Sequence, residues 1–220
     1  MRIITLESKY WEEAAKHGVA RADIRRVVRE AAHEANKQLP SVSSFLNIVV
    51  GPLEPYETVK ETGDMGITYS EEYVSIGFDY NVPYGASELK ATLRTTTLHE
   101  MVHAVSYVHV EAWKPAPLQA VVHEGLATVF ERQHGHNPPL WSQYEDDATM
   151  QEWLAEIKKL PVDVKNFDFL FNHPDGRKWV IYKTGTWMIE KLLAANKQSF
   201  NDLVRMPHED VIALFEELNS

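Results

Sequence analysis

The sequence TTLHEMVHAV occupies residues 96–105 and contains two histidines, His99 and His103, four positions apart. On an α-helix this spacing separates the two side chains by about 40° around the axis and ~6 Å along it. Two imidazoles placed in this way can bind one metal ion at ~2.0–2.1 Å. Glu100 lies about 100° around the helix from His99, where it can reach a water molecule on that ion. The H-E-x-x-H pattern therefore predicts two metal ligands and a general base on one helical turn.

The residues around this motif are apolar on most sides of the helix, which favours a buried position; they are Leu98, Met101, Val102, Ala104, Val105 and Val108. Histidine and glutamate side chains on a buried helix need polar partners, and a metal ion would supply them. The motif alone leaves an alternative open, in which both histidines are hydrogen-bonded in the core without a metal.

Composition limits what kind of site this can be. The chain has 220 residues and no cysteine, which excludes disulfide scaffolds, cysteine-ligated zinc fingers, iron–sulfur clusters and thiol nucleophiles. Any metal must therefore be held by His, Asp or Glu. The formal net charge of -10 argues against nucleic-acid binding and against docking on anionic lipid.

A second helix offers a third ligand, which a catalytic zinc site needs besides the position kept for water. Residues 121–130 read VVHEGLATVF, and Glu124 stands 21 residues after His103 on a helix with a large apolar face. A turn at 114–117 and a returning helix can bring Glu124 alongside His103, and Gly125 would allow the two backbones to approach closely. The sequence thus predicts Zn²⁺ bound by His99, His103 and Glu124.

These two segments resemble the gluzincin metallopeptidases, in which a helical glutamate follows H-E-x-x-H by some twenty residues. The second segment, VVHEGLATVFE at residues 121–131, is similar to the Glu-Gly-Phe-Ala segment of the zinc aminopeptidase clan. It is closer to a family known as predicted Zn-dependent proteases, in which an E-G-L-A helix and then a Pro-Trp pair follow H-E-x-x-H. Here NPPLW ends at Trp141, and the resemblance covers about residues 90–195. It implies a zincin-like fold and a zinc peptidase that acts on peptides or proteins.

The resemblance also marks one further site residue and two departures. In WVIYKTGTW, residues 179–187, Tyr182 and Gly185 match the Tyr-x-x-Gly of the aminopeptidase clan, which implies that Tyr182 stabilises the oxyanion; a core tyrosine is the alternative. Thermolysin-like enzymes have an Asp four residues after the ligand Glu, where this chain has Thr128. The aminopeptidase Gly-x-Met-Glu-Asn strand is also missing, which speaks against simple aminopeptidase specificity.

Hydrophobic periodicity predicts an α+β fold with a small N-terminal sheet and a helical C-terminal half. A helix over 20–39, ended by Pro40, precedes β-like runs at 46–50, 67–69 and 73–80, which are predicted to form an antiparallel sheet with a loop at 51–66. Ser87 is predicted to cap the helix that carries the motif, which runs to about His109. Further helices follow at 117–134, 147–160, 177–196, 200–206 and 208–218. We predict one domain over 1–220, with helix and sheet at about 1–86 and the metal-binding helical part at about 87–220.

The ligand set predicts hydrolysis by a metal-bound water that Glu100 deprotonates, on a peptide aligned along the strand at 73–80. Two alternatives stay open: a catalytically silent zincin scaffold that acts as a binding module, and a non-haem iron enzyme, which also uses two His and one carboxylate. No apolar stretch approaches the ~18 residues that span a membrane, and a cytoplasmic location is the default expectation. The sequence does not predict the oligomeric state.

Overall fold

A computed structural model describes residues 1–107, 116–135, 138–161, 167–196 and 198–218. The predicted turn at Lys114 and Pro115 and the predicted helix end near His109 lie outside the described residues. By internal contacts the chain divides into two compact units, Met1–Val108 with Gln133–Asn137 and His109–Arg132 with Pro138–Ser220. The single domain over 1–220 stays a prediction. The described residues include no helix long and apolar enough to cross a membrane.

The first unit contains a four-stranded sheet and three helices, in the order β1 (Arg2–Thr5), α1 (Tyr10–Lys16), α2 (Arg21–Gln38), β2 (Asn47–Leu53), β3 (Asp64–Ser70), β4 (Tyr73–Asp79) and α3 (Ala86–Ser106). The α+β fold with a small N-terminal sheet is confirmed. The helix predicted over 20–39 is α2, which buries Ile24, Val28, Ala31, Ala32 and Ala35 at helical spacing.

The sheet is mixed, so the prediction of an antiparallel sheet was wrong. Its strand order is β1-β2-β4-β3, with β1 and β4 parallel to β2 and only β3 antiparallel to β4. The connection from β1 to β2 contains α1 and α2, a crossover of the length that parallel neighbours require. The short connection from β3 to β4 allows only a hairpin. This order places β3 at an edge of the sheet.

Two local features of the sheet also differ from the prediction. The sequence pattern gave no strand at β1, which has only four residues. β2 continues through Gly51 and Pro52, where a loop was predicted. The strand accommodates both residues, for one steric reason and one hydrogen-bonding reason. A Cβ on Gly51 would lie 2.7 Å from the Cβ of Leu6. Pro52 lies beyond the last β1 pairing, Thr5 with Val50, so its missing N–H costs no bond to β1.

Helix α3 packs on β3, β4 and α2, and two ion pairs join it to α2, Lys90 with Asp23 at 3.2 Å and Arg94 with Glu34. The predicted cap at Ser87 was wrong, since the N-cap is Gly85 and Ser87 lies inside the helix. Gly85 has φ of 88°, a left-handed conformation that favours glycine and turns the chain from β4 into α3.

The second unit is helical in its described residues, with α4 (Pro117–His134), α5 (Asp147–Ile157), α6 (Phe167–Leu170), α7 (Val180–Ala194), α8 (Phe200–Leu203) and α9 (His208–Leu218). The last two residues of α4 are assigned to the first unit. The helices predicted from 117 onwards are confirmed, and a capping box of Ser199 and Asp202 opens α8.

Gly125 lies at a close contact between two helices of the second unit. A Cβ on Gly125 would lie 2.4 Å from the carbonyl carbon of Gly185 in α7. A Cβ on Gly185 would lie 2.1 Å from the carbonyl oxygen of Val121. Both glycines are therefore needed because the backbones of α4 and α7 approach too closely for a side chain. The expectation that Gly125 serves an approach to the helix of His103 stays a prediction.

Candidate metal centre

The H-E-x-x-H residues lie on the buried helix α3. Leu98, Met101 and Val102 are fully buried around them, which confirms the apolar environment expected from the sequence. His99, Glu100 and His103 are themselves only 7%, 4% and 8% exposed. Three polar side chains are thus held in the interior of the first unit on a single helical turn.

The two imidazole rings bring the same nitrogen atom of each histidine close together. Nε2 of His99 and Nε2 of His103 are 3.0 Å apart, and the ring planes meet at 75°. Two nitrogens that bind one tetrahedral ion at ~2.0–2.1 Å stand ~3.3 Å apart. The observed separation of 3.0 Å is close to this value, so the two Nε2 atoms are near enough to share one ion.

Glu100 completes a group that could hold or serve a metal. One ligand atom from each of His99, Glu100 and His103 lies within 4.8 Å of the others. Imidazole nitrogen and carboxylate oxygen are ligands that zinc accepts, so the residues present fit this ion. The sequence did not predict that Glu100 contacts β3. Thr68 Oγ1 on this strand lies 2.7 Å from Glu100 Oε2.

Asp64 is a second carboxyl near this group, and the sequence gave no reason to single it out. It is 2% exposed, and Thr96 Oγ1 donates a hydrogen bond to its Oδ2. Burial raises the pKa of the Asp64 carboxyl, and the negative charge of Glu100 acts in the same direction. Asp64 thus adds to the buried polar residues between β3 and α3.

Glu124 lies on α4 and is 8% exposed, as is its neighbour His123. Glu124 belongs to the second unit, whereas His99 and His103 belong to the first. The role of Glu124 as third ligand stays a prediction. Thr128 stands where thermolysin-like enzymes have an aspartate. It is fully buried, and its Oγ1 has no hydrogen-bond partner among the described residues.

Tyr182 lies near the start of α7 and is half-buried among aromatic rings. Its ring centroid is 5.7 Å from that of Trp141 and 5.9 Å from that of Trp179. The indole N–H of Trp141 donates to Glu131 Oε1 at 2.6 Å, which fixes this tryptophan. The Tyr-x-x-Gly and Pro-Trp segments of the sequence therefore meet within the second unit. The catalytic role of Tyr182 stays a prediction.

A buried H-E-x-x-H helix packed on the edge of a small mixed sheet defines an α+β protein with a candidate metal centre. The chain belongs to the family described as "Predicted Zn-dependent protease (DUF2268)", whose model matches residues 24–213. That range runs from α2 into α9 and includes strand β3 and helices α3, α4 and α7, which carry the residues described above. No curated protein and no solved structure matches the chain.

Metal binding at this site is expected to weaken as the pH falls through the range in which histidine protonates. A ligand imidazole must be neutral, so protons compete with the metal for the Nε2 atoms of His99 and His103. Competition with a chelator, measured at pH 5 and at pH 8, would show the lower zinc affinity at pH 5. Equal affinity at both pH values would contradict histidine ligation.

Proposed function

We propose that this protein is a zinc metallopeptidase of the gluzincin type that cleaves peptide bonds. The observation that carries the proposal is the pair of buried Nε2 atoms, 3.0 Å apart, beside the carboxylate of Glu100. Membership of the family described as Zn-dependent proteases supports the metal and the reaction class. Glu124 is the proposed third ligand, supported by its burial in α4 and its spacing from His103.

Each side chain has a distinct task in this proposal. Zinc, when bound, supplies a Lewis acid that lowers the pKa of a coordinated water toward ~7. Glu100 accepts a proton from the attacking water and delivers it to the leaving nitrogen. The hydroxyl of Tyr182 donates a hydrogen bond to the carbonyl oxygen as negative charge develops there.

The strand predicted to align the substrate is β4, which lies inside the sheet. β4 pairs with β2 on one side and with β3 on the other, so its backbone is not available and the prediction for 73–80 was wrong. Beyond an isolated bridge between Val59 and Asp64, β3 pairs with no second strand among the described residues. We therefore propose that an extended peptide pairs with the outer edge of β3, since peptides commonly add a strand to a free edge.

Cleavage-site profiling of a mixed peptide pool tests the function directly. The protein with zinc is expected to cleave the pool, a chelator to stop cleavage, and added zinc to restore it. A protein that holds stoichiometric zinc and cleaves no peptide would instead support the silent zincin scaffold that acts as a binding module.

Substitution of Tyr182 by phenylalanine is expected to lower kcat by ~10²–10³ and to leave KM nearly unchanged. The reason is that the hydroxyl would meet the oxyanion only in the transition state. Zinc content should stay the same, and stability should fall by about 1 kcal/mol, the usual value of one hydrogen bond. Kinetics and melting of the same variant decide the matter, because a core tyrosine would give unchanged kinetics and a change in melting temperature alone.

A further inference from the structure

We infer that strand β3 positions the carboxylate of Glu100, with Thr68 as its hydrogen-bond donor and Gly66 as the position that leaves room for it. The inference rests on the proposed function, because it assigns positioning residues to the proposed general base. Neither residue belongs to the H-E-x-x-H helix, and both come from a strand more than thirty positions earlier in the chain.

The first observation is a hydrogen bond from the strand to the base. Thr68 Oγ1 lies 2.7 Å from Glu100 Oε2 and 3.1 Å from the backbone carbonyl oxygen of the same residue. A hydroxyl has one proton to donate, and the carboxylate is both the nearer and the more strongly accepting group. The bond therefore fixes one carboxylate oxygen and leaves lone pairs on the other oxygen for proton transfer.

The second observation is steric. A Cβ on Gly66 would lie 2.4 Å from Oε1, 2.6 Å from Cγ and 2.7 Å from Cδ of Glu100. The φ angle of Gly66 is not in the left-handed region, so the backbone itself does not require glycine. Glycine is thus needed at position 66 to leave room for Glu100, whose carboxylate lies directly against the strand.

The third observation is the register between strand and helix. Asp64, Gly66 and Thr68 alternate along β3 and so face the same side of the sheet. Asp64 contacts Thr96 of α3, and both Gly66 and Thr68 contact Glu100 one helical turn later. A long side chain with several rotatable bonds is thereby held in one orientation before any substrate binds, which is what efficient proton transfer requires.

The test uses three variants of the full chain. Thr68→Val removes the donor and keeps the shape, Thr68→Ser keeps the donor, and Gly66→Ala displaces the carboxylate. We expect kcat to fall ~10-fold or more in Thr68→Val, to return close to wild type in Thr68→Ser, and to fall ~10² in Gly66→Ala. KM and zinc content should stay near wild type in all three, because the two side-chain positions face α3 and not the strand edge.

Two matched controls separate positioning from stability. Thr95→Val removes a hydroxyl that donates a hydrogen bond to the Ala91 carbonyl within α3. Gly51→Ala adds a methyl group to β2 that meets the Leu6 side chain and not Glu100. Both controls should keep the wild-type kcat. Wild-type kcat in Thr68→Val, or an equal loss in Thr68→Val and Thr68→Ser, would overturn the inference.

If the wild-type protein cleaves nothing, the proposed function is contradicted but the positioning of Glu100 is not. Crystal structures of the variants then test the positioning. We expect the Glu100 carboxylate to be displaced in Gly66→Ala and to lose its fixed orientation in Thr68→Val, with β3 otherwise unchanged. An unmoved carboxylate in both variants would overturn the inference. If Thr68→Val does not fold, Gly66→Ala and its control Gly51→Ala decide by the same criteria.

Discussion

The wild-type protein is expected to hold about one zinc ion per chain, and replacement of His99, His103 or Glu124 by alanine is expected to remove it. A site with three protein ligands has no redundancy, so the loss of any one ligand lowers the affinity severely. Elemental analysis of each purified variant measures the effect directly. The two histidine variants test the geometry of the Nε2 pair, and Glu124→Ala tests the third ligand that the spacing of the sequence predicts.

His33→Ala is the matched control, because His33 is exposed on α2 and should keep the full zinc content when it is replaced. Full metal retention in all three ligand variants would rule out the proposed ligand set. Loss in the histidine variants with retention in Glu124→Ala would leave the site on α3 and require a different third ligand. Iron in place of zinc in the wild-type protein would support the non-haem iron alternative.

Glu100→Gln is expected to keep the zinc and the fold and to abolish hydrolysis. Glutamine has nearly the shape of glutamate, and its carbonyl oxygen can still accept the hydrogen bond from Thr68, but it cannot take a proton from water. Loss of a general base costs at least ~10² in rate. Turnover, zinc content and melting temperature of the same preparation distinguish this result from misfolding.

Wild-type turnover in Glu100→Gln would remove Glu100 as the base and leave the Thr68 and Gly66 contacts without a catalytic purpose. An inactive wild-type protein with normal zinc would favour the binding scaffold. The three ligand variants test the metal site, and Glu100→Gln tests the chemistry performed there.

The part of the site that could be predicted is the part that one helix encodes. The spacing of His99 and His103 fixes their relative direction through helix geometry alone, and the apolar residues between them predict burial. Their facing Nε2 atoms follow from this local pattern. Glu124 and Tyr182 depend on how separate helices pack, which spacing cannot determine, and their roles stay predictions.

The contacts of β3 could not be predicted because they join residues about thirty positions apart. A usable signal was present, however, in the alternation of the strand. Asp64, Gly66 and Thr68 are small or polar and face α3, whereas Ile67 and Tyr69 are 44% and 52% exposed. This inverted pattern, with apolar residues outside, indicates a polar partner on the inner side.

The predicted antiparallel pairing of the strands was wrong for a related physical reason. Short parallel and antiparallel strands are hard to tell apart from local composition, and the crossover through α1 and α2 identifies only β1 and β2 as parallel neighbours. The helix start at Gly85 was missed because serine is the commoner cap, whereas here a left-handed glycine makes the turn out of β4. Helices with strong periodicity, such as α2, were predicted correctly because their signal is local.

Diffraction data collected above and below the zinc absorption edge, on crystals of the zinc-loaded protein, test the central claim most directly. The account predicts one anomalous peak per chain, ~2.0–2.1 Å from the Nε2 atoms of both His99 and His103, with a carboxylate oxygen of Glu124 as the third ligand and Glu100 close by but not bound. A peak that lies away from α3, or no ordered zinc at all in protein shown to contain it, would contradict the account.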